Sequence, residues 1–482
     1  MAKLKNIIKQ LSDNDYETIY NQLMDSGADK SAYLLKSMRD KSVSDTAVMD
    51  ELDVNTNAYY TLRSRLNQKI EEYLLQQMEN PRTDILKKVA NINEVLFTKK
   101  RAIAIATLKK LEKELLDYDL ASELTIVYKA LKKLHINSPD NFNYSQLYNK
   151  YVAYTLAVDK AEDLLAEYFK KYGSYILSGE ETDKLALTLL NKEMLSTSAL
   201  YDSHRMYVYK SCINIFHRLF VEQDSEMEND LEPIEDILDN VQKIFESYQL
   251  DTIYFHLKIV HEFLTLEYYN HYKVYRKAET YFEEVNEAAE NLLTNYSLFT
   301  FPSQFLLTKI DRHLRMGLEG EIYEENEALF QDYESNTNDI PQYVIYMTYR
   351  SLSCHFAKKH DEAARWINNL LNEVSLKKYP YAQLEVKAVL ALQYCIINDY
   401  DLFNQLINSI QRQIRILNKE TCEHVQILAK MMKISISEAK RDKYDKIKAL
   451  VDKFNSVPKS GFTPTSLVKM DDEFIRVLAR EQ

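Results

Sequence analysis

The stretch Leu384 to Ile410, LEVKAVLALQYCIINDYDLFNQLINSI, decides how this chain is built. Leu390, Ala391 and Tyr394 keep the three- and four-residue spacing of one helix face. Tyr400, Phe403, Ile407 and Ile410 keep it on a second helix after a polar break at Asn398 and Asp399. The small side chain of Ala391 lets the paired helix approach closely. One such helix pair cannot bury its own apolar stripe, so it requires neighbours built the same way.

Those neighbours precede it. Ser351, Cys354, His360, Ala363, Ile367 and Leu370 hold the corresponding places one unit earlier, and Tyr275, Ala278, Phe282 and Val285 recur further back. Ala278, Ala363 and Phe403 set a period nearer forty residues than thirty-four. On these residues the chain resembles the tetratricopeptide superfamily, in a degenerate form with long helices. The resemblance implies an all-α fold, a right-handed superhelix of αα-hairpin repeats, with a protein or peptide held on its concave face.

The same pairing extends outward as Asp84 to Phe97 with Lys99 to Leu116, Leu120 to Leu134 with Tyr144 to Tyr172, and Asp183 to Phe220 with Pro233 to Tyr248. It continues as Tyr254 to Asn270 with Ala278 to Leu293, Ser303 to Met316 with Gly320 to Tyr333, and Tyr343 to Lys358 with Asp361 to Glu373. Asn80-Pro81 closes one helix and opens the next, which sets three expected regions: a helical bundle over 1–80, repeats over 81–455, and a tail with a capping helix over 456–482.

Composition agrees with long helices. Only 6 Gly and 8 Pro punctuate 482 residues. No apolar run reaches the roughly 20 residues of a membrane span, and the start lacks the apolar core of a signal peptide, so a cytoplasmic location without membrane contact is expected. Cys212, Cys354, Cys395 and Cys422 are far apart and read as buried thiols. The net charge of -12 is uneven: residues 1–135 hold 22 Lys+Arg against 20 Asp+Glu, leaving 39 against 53 beyond. Any DNA contact is therefore confined to the front third.

One segment there has the required shape. Val48 and Leu52, then Val54, then Ala58, Leu62 and Leu66 form the apolar stripe of a helix-turn-helix, with Asp53 where that motif usually carries glycine. The resemblance implies that Asn55, Thr56, Asn57, Tyr59, Tyr60 and Arg63 face a major groove, with Arg65 and Lys69 near phosphates. Asp45, Asp50, Glu51 and Asp53 oppose this electrostatically. The basic stretch Arg82 to Lys133, 12 basic against 7 acidic residues, reads mainly as a solvated face in which Lys110 and Glu114 pair.

Among 36 tyrosines, Tyr268, Tyr269, Tyr272 and Tyr275 cluster and are candidates for a partner groove, although helical spacing equally suits packing. His256 with His261 and His355 with His360 are each five apart, which on one helix separates their faces, so no metal site is expected. No HExxH, GxSxG or Gly-rich phosphate loop occurs, and no cofactor or catalytic residue is expected.

The leading expectation is a non-catalytic adaptor or regulator that captures a protein or peptide. The rival is a DNA-binding transcriptional regulator whose repeats sense a peptide or mediate homodimerisation. That order of parts is similar to the peptide-responsive regulators of Gram-positive bacteria, and the whole chain resembles bacterial proteins of a Bacteroidetes type with a helical front and degenerate repeats. An exposed concave stripe favours capture of a partner, and a groove filled by residues 458–482 favours self-occlusion.

Overall fold

Burying these stripes produces helices and, among the described residues, no strand. The computed structural model describes residues 4, 8, 11, 13–40, 45–52, 54–77, 81–201, 203–222, 232–248, 253–295, 301–330, 333, 335–417, 421–437, 442–459 and 461–480. They divide into two compact units, Met1–Asn149 and Lys150–Gln482. The boundary expected at Pro81 therefore lies inside the first unit.

In the first unit α1 (Asp13–Asp25), α2 (Asp29–Asp40), α3 (Asp45–Leu52) and α4 (Thr56–Gln77) surround one core. Ile19, Leu34, Leu35, Val48, Tyr59, Leu66, Ile70 and Tyr73 are buried in it. The second group is α5 (Pro81–Ala90), α6 (Ile92–Thr98), α7 (Arg101–Asp117) and α8 (Ala121–Leu134). The helix expected from Asp84 to Phe97 is thus broken at Asn91. Glu114 pairs with Lys88 of α5 at 2.7 Å, a partner across helices where the sequence suggests Lys110.

The long α9 (Asp140–Ser178) follows, then α10 (Glu181–Ser198), α11 (His204–Phe220), α12 (Ile234–Ser247), α13 (Ile253–His271), α14 (Tyr275–Asn295), α15 (Phe301–Met316) and α16 (Ile322–Leu329). The single helix expected over Asp183 to Phe220 is two helices. Ser203 caps the second, its side chain accepting from the Met206 N–H at 3.2 Å. α9 packs on α11 through aromatic rings, with Tyr172 and Phe216 4.6 Å apart and edge-on.

The chain ends with α17 (Ile340–Phe356), α18 (His360–Glu373), α19 (Pro380–Ile397), α20 (Tyr400–Ile416), α21 (Glu423–Ile436), α22 (Lys443–Ser456), the short 3-10 turn Pro464–Leu467 and α23 (Asp472–Ala479). Helices adjacent in sequence pack on one another, α13 on α14, α17 on α18, α19 on α20 and α21 on α22. Ala278, Phe282, Ala363, Ile367, Ala391, Phe403 and Ile407 are all buried at these contacts, as their spacing predicts.

A repeated turn joins the members of the successive pairs. Lys273, Gly317, Lys358 and Asn398 each take a left-handed φ, at intervals of 44, 41 and 40 residues. The next N–H reaches back five residues each time: Val274 to the Tyr269 carbonyl, Leu318 to His313, Lys359 to Cys354 and Asp399 to Tyr394, all at 2.8–3.0 Å. Such a reversal satisfies terminal carbonyls and sends the next helix back along the last. Three of the four positions are not glycine, which is why glycine scarcity does not prevent the turns.

Candidate functional site

Helices that line an open groove show one face to solvent, but α17 and α19 do not. Pro341 to Tyr349 and Ser351 to Cys354 are buried continuously, as are Ala388 to Cys395. The exposed aromatic stripe expected on a concave wall is therefore missing from these two helices. Part of the cover on α19 comes from its own chain. The 3-10 turn Pro464–Leu467 packs on both α19 and α15, so the connection between α22 and α23 dips into the interior of the second unit.

Each contact of this connection has a local cause. The last carbonyls of a helix lack intrahelical partners. The Ile176 carbonyl, in the last turn of α9, receives the Phe462 N–H at 3.0 Å. Gly461 precedes it with φ +73, and a Cβ there would come within 3.3 Å of the same Ile176 oxygen. Glycine takes this conformation at the least cost and avoids a tight contact with the Ile176 oxygen.

Three residues on, the Glu385 carboxylate of α19 is met by Thr465. The Thr465 backbone N–H lies 3.2 Å and its hydroxyl 2.7 Å from Oε2. The other oxygen, Oε1, contacts His424 Nε2 of α21. Glu385 is 3% exposed and Thr465 0%, so these are buried hydrogen bonds.

Beside this segment a cleft of about 780 Å³ stays open. Tyr172, Tyr175, Lys184 and Glu222 line one part, and Tyr381, Cys422 and Lys459 another. Burial pushes the Cys422 thiol up to about 11 and holds the Lys459 ammonium below its ordinary value. Lys459 also sits over the Phe454 ring at 4.1 Å. This mixed, partly aromatic cleft borders a bend at 461–462 and the 3-10 turn that follows it. Of its residues the sequence marked only Cys422, as a buried thiol, and the tail from 458 onward, whose packing here is the arrangement that the sequence set against an open partner groove.

The tyrosine cluster lies elsewhere. Tyr268, near the end of α13, touches Tyr269 and Tyr272, with centroids 5.4 and 4.8 Å away. Tyr275, at the start of α14, instead lies under Arg315 at 4.0 Å. The four residues form the tip of one helix pair and its flank, not a wall of the cleft.

In the first unit, α3 and α4 follow each other across a short turn. The Asn55 side chain caps α4 by accepting from the Ala58 N–H at 2.9 Å, and the Val54 N–H closes the turn on the Met49 carbonyl at 3.1 Å. Leu66 and Val48 are buried as expected, but Tyr59, expected at a groove, fills the core, while Ala58 is exposed. The long ring buries more apolar area than the methyl it displaces.

Asn55, Tyr60, Arg65 and Lys69 are exposed and Arg63 is half-buried. Arg65 and Lys69 line a recess with Gly27 to Ser31. The side chains of Thr56 and Asn57, the residue Asp53, and the side chains of Asp45 and Asp50 lie outside the described residues.

The histidines depart from their expected geometry. His355 ends α17 and His360 begins α18, so the turn at Lys358 brings their rings to 5.2 Å. Both Nδ1 atoms meet Gln393 Oε1, at 3.2 and 2.9 Å. Among the described residues no group of three or more His, Cys, Asp or Glu is placed to hold a metal. The side chain of His256 lies outside the described residues. All four cysteines are buried and free. No helix among the described residues is long and apolar enough to cross a membrane.

What these features define is an all-α protein whose second unit packs a bend and 3-10 turn of its own chain against its helices. Compared with protein-family models, curated proteins and solved structures, the chain matches none of the three.

Proposed function

We propose that the second unit is a superhelical stack of tetratricopeptide-like hairpins that binds an extended peptide segment of a partner protein, and that the chain acts as a non-catalytic regulator or adaptor. The observation that carries this reading is the engagement of the 461–465 backbone by Ile176 and Glu385 inside the cleft. Packed helices that accept backbone N–H groups of a turn-forming segment in buried hydrogen bonds offer recognition chemistry a peptide can use. The turn recurring every 40 to 44 residues supports the repeat assignment.

Selection of random displayed peptides on the intact protein tests it, with the bound site mapped by cross-linking. Enrichment of peptides that cross-link beside Tyr172, Tyr381 or Cys422 supports the reading. Absence of any enriched peptide, or cross-links confined to other surfaces, removes it.

A second reading has its own support: exposed Asn55, Tyr60, Arg65 and Lys69 on a capped helix whose Tyr59 and Leu66 anchor it from behind. On that reading the first unit contacts DNA. Binding to genomic DNA fragments that weakens with salt and is lost in an Arg65→Ala, Lys69→Ala variant supports it, and absence of binding at low salt removes it.

A further inference from the structure

We infer that the seat formed on α9, α15 and α19 by Ile176 and Glu385, beside the open cleft, selects peptides with an aromatic-Thr-Pro-Thr sequence, and that Phe462 to Thr465 are its resident occupant, displaceable by such a segment from a partner. The inference rests on the peptide-binding reading above and narrows it to a ligand class.

The specificity follows from what each contact demands. Glu385 accepts from a backbone N–H and from the hydroxyl on the same residue. Serine and threonine offer that pair of donors, and threonine adds a methyl for a fully buried site. Pro464 begins the 3-10 turn and fixes its φ in advance, lowering the entropy that binding must overcome. Phe462 is buried and supplies apolar area, while its N–H donates to the Ile176 carbonyl.

Displacement is built into the topology. Residues 457–471 join α22 to α23, a span far longer than the turns that link the other late helices. Both ends are held independently. α23 buries Phe474, Ile475 and Leu478 and packs on α21 and α22, and Glu473 pairs with Lys358 at 2.6 Å. The middle of the span can therefore leave the cleft while α23 stays in place. The open volume beside it gives a longer incoming peptide further contacts near Tyr175 and Lys184.

The test uses the full chain and a synthetic peptide of residues 461–470, read by hydrogen exchange at the protein's own Phe462 and Thr465 amides. Excess peptide is expected to accelerate both by about tenfold. The same peptide carrying Thr465→Val, and a scrambled one, are expected to do neither. A Gly461→Ala chain, whose own segment is held less tightly, is expected to respond at lower peptide concentration. Unchanged exchange in both chains overturns the inference, and so does an equal response to the Thr465→Val peptide. Should random selection yield cleft-binding peptides lacking this sequence, the ligand class falls and the broader reading stands. Should it also yield none, both fall.

Discussion

Glu385 of α19 and Thr465, eighty residues later, share one carboxylate oxygen: the threonine N–H and hydroxyl both donate to Oε2. Removing the acceptor strands two buried donors and the His424 ring nitrogen that meets the other oxygen. Glu385→Ala is therefore expected to weaken docking of residues 461–468 by about 2–4 kcal/mol, and Glu385→Gln, which keeps one oxygen, by less. Amide exchange at Thr465 reads both. Equal protection in parent and Glu385→Ala would show that this bond does not hold the segment.

Gly461→Ala places a side chain at φ +73 and 3.3 Å from the Ile176 carbonyl. The left-handed conformation alone costs about 1–2 kcal/mol. Protection is expected to fall at Phe462 while the amides of α19 stay unchanged, since Ala388 to Cys395 pack largely on other helices.

Lys309 and Glu325 are unequal partners in one buried ion pair. Lys309 is 2% exposed, held by Glu325 and by Asn286 Oδ1 at 2.9 Å, whereas Glu325 is 36% exposed and also faces His313 at 3.5 Å. Glu325→Gln leaves a buried cation without its counter-charge and is expected to destabilise by about 3 kcal/mol. Lys309→Met leaves a carboxylate that solvent can reach and is expected to cost less. Urea midpoints of the two variants give the order, and the reverse order contradicts it.

Burial pushes the His261 imidazole down to about 4 and the Glu267 carboxyl up to about 7. Their pH dependences have opposite sign. The unfolded chain takes up a histidine proton near pH 6.5 that folded His261 refuses, so stability from this group is lost as pH falls from 6.5 towards 4. Folded Glu267 keeps a proton the unfolded chain releases near 4.5, so its contribution is lost as pH rises from 4.5 through 7. His261→Leu is expected to lose about 2–3 kcal/mol less than the parent between pH 6.5 and 4.5. Glu267→Gln is expected to be favoured over the parent increasingly from pH 5 to 8. Parallel curves for parent and variants would contradict both assignments.

Helices from Tyr254 onward are legible in sequence because their stripes are long and regular. Ala363, Ile367 and Phe403 sit where their spacing puts them. Breaks were harder: α10 and α11 separate at Ser203, a cap inside a run whose apolar pattern continues on both sides. Tyr59 displaced Ala58 from the core by size, which a one-face stripe does not foresee.

The cleft escaped for a different reason. Its contacts join Ile176, Glu385 and Thr465 across more than two hundred residues, and periodicity carries no information about such pairs. A partial signal was present. Glu385 is the one carboxylate within the apolar run from Leu384 to Leu392, and a buried carboxylate needs a partner. Gly461, Phe462 and Pro464 between two helical stretches marked the unusual connection.

The most direct test of peptide binding is a titration of fluorescein-labelled peptide 461–470 into the full-length Gly461→Ala chain, followed by anisotropy, with the parent and a Gly461→Ala, Glu385→Lys double variant alongside. The account predicts saturable binding to Gly461→Ala, about tenfold tighter than to the parent because the resident segment competes less, and none to the double variant. No binding to any of the three, or equal binding to all, would contradict it.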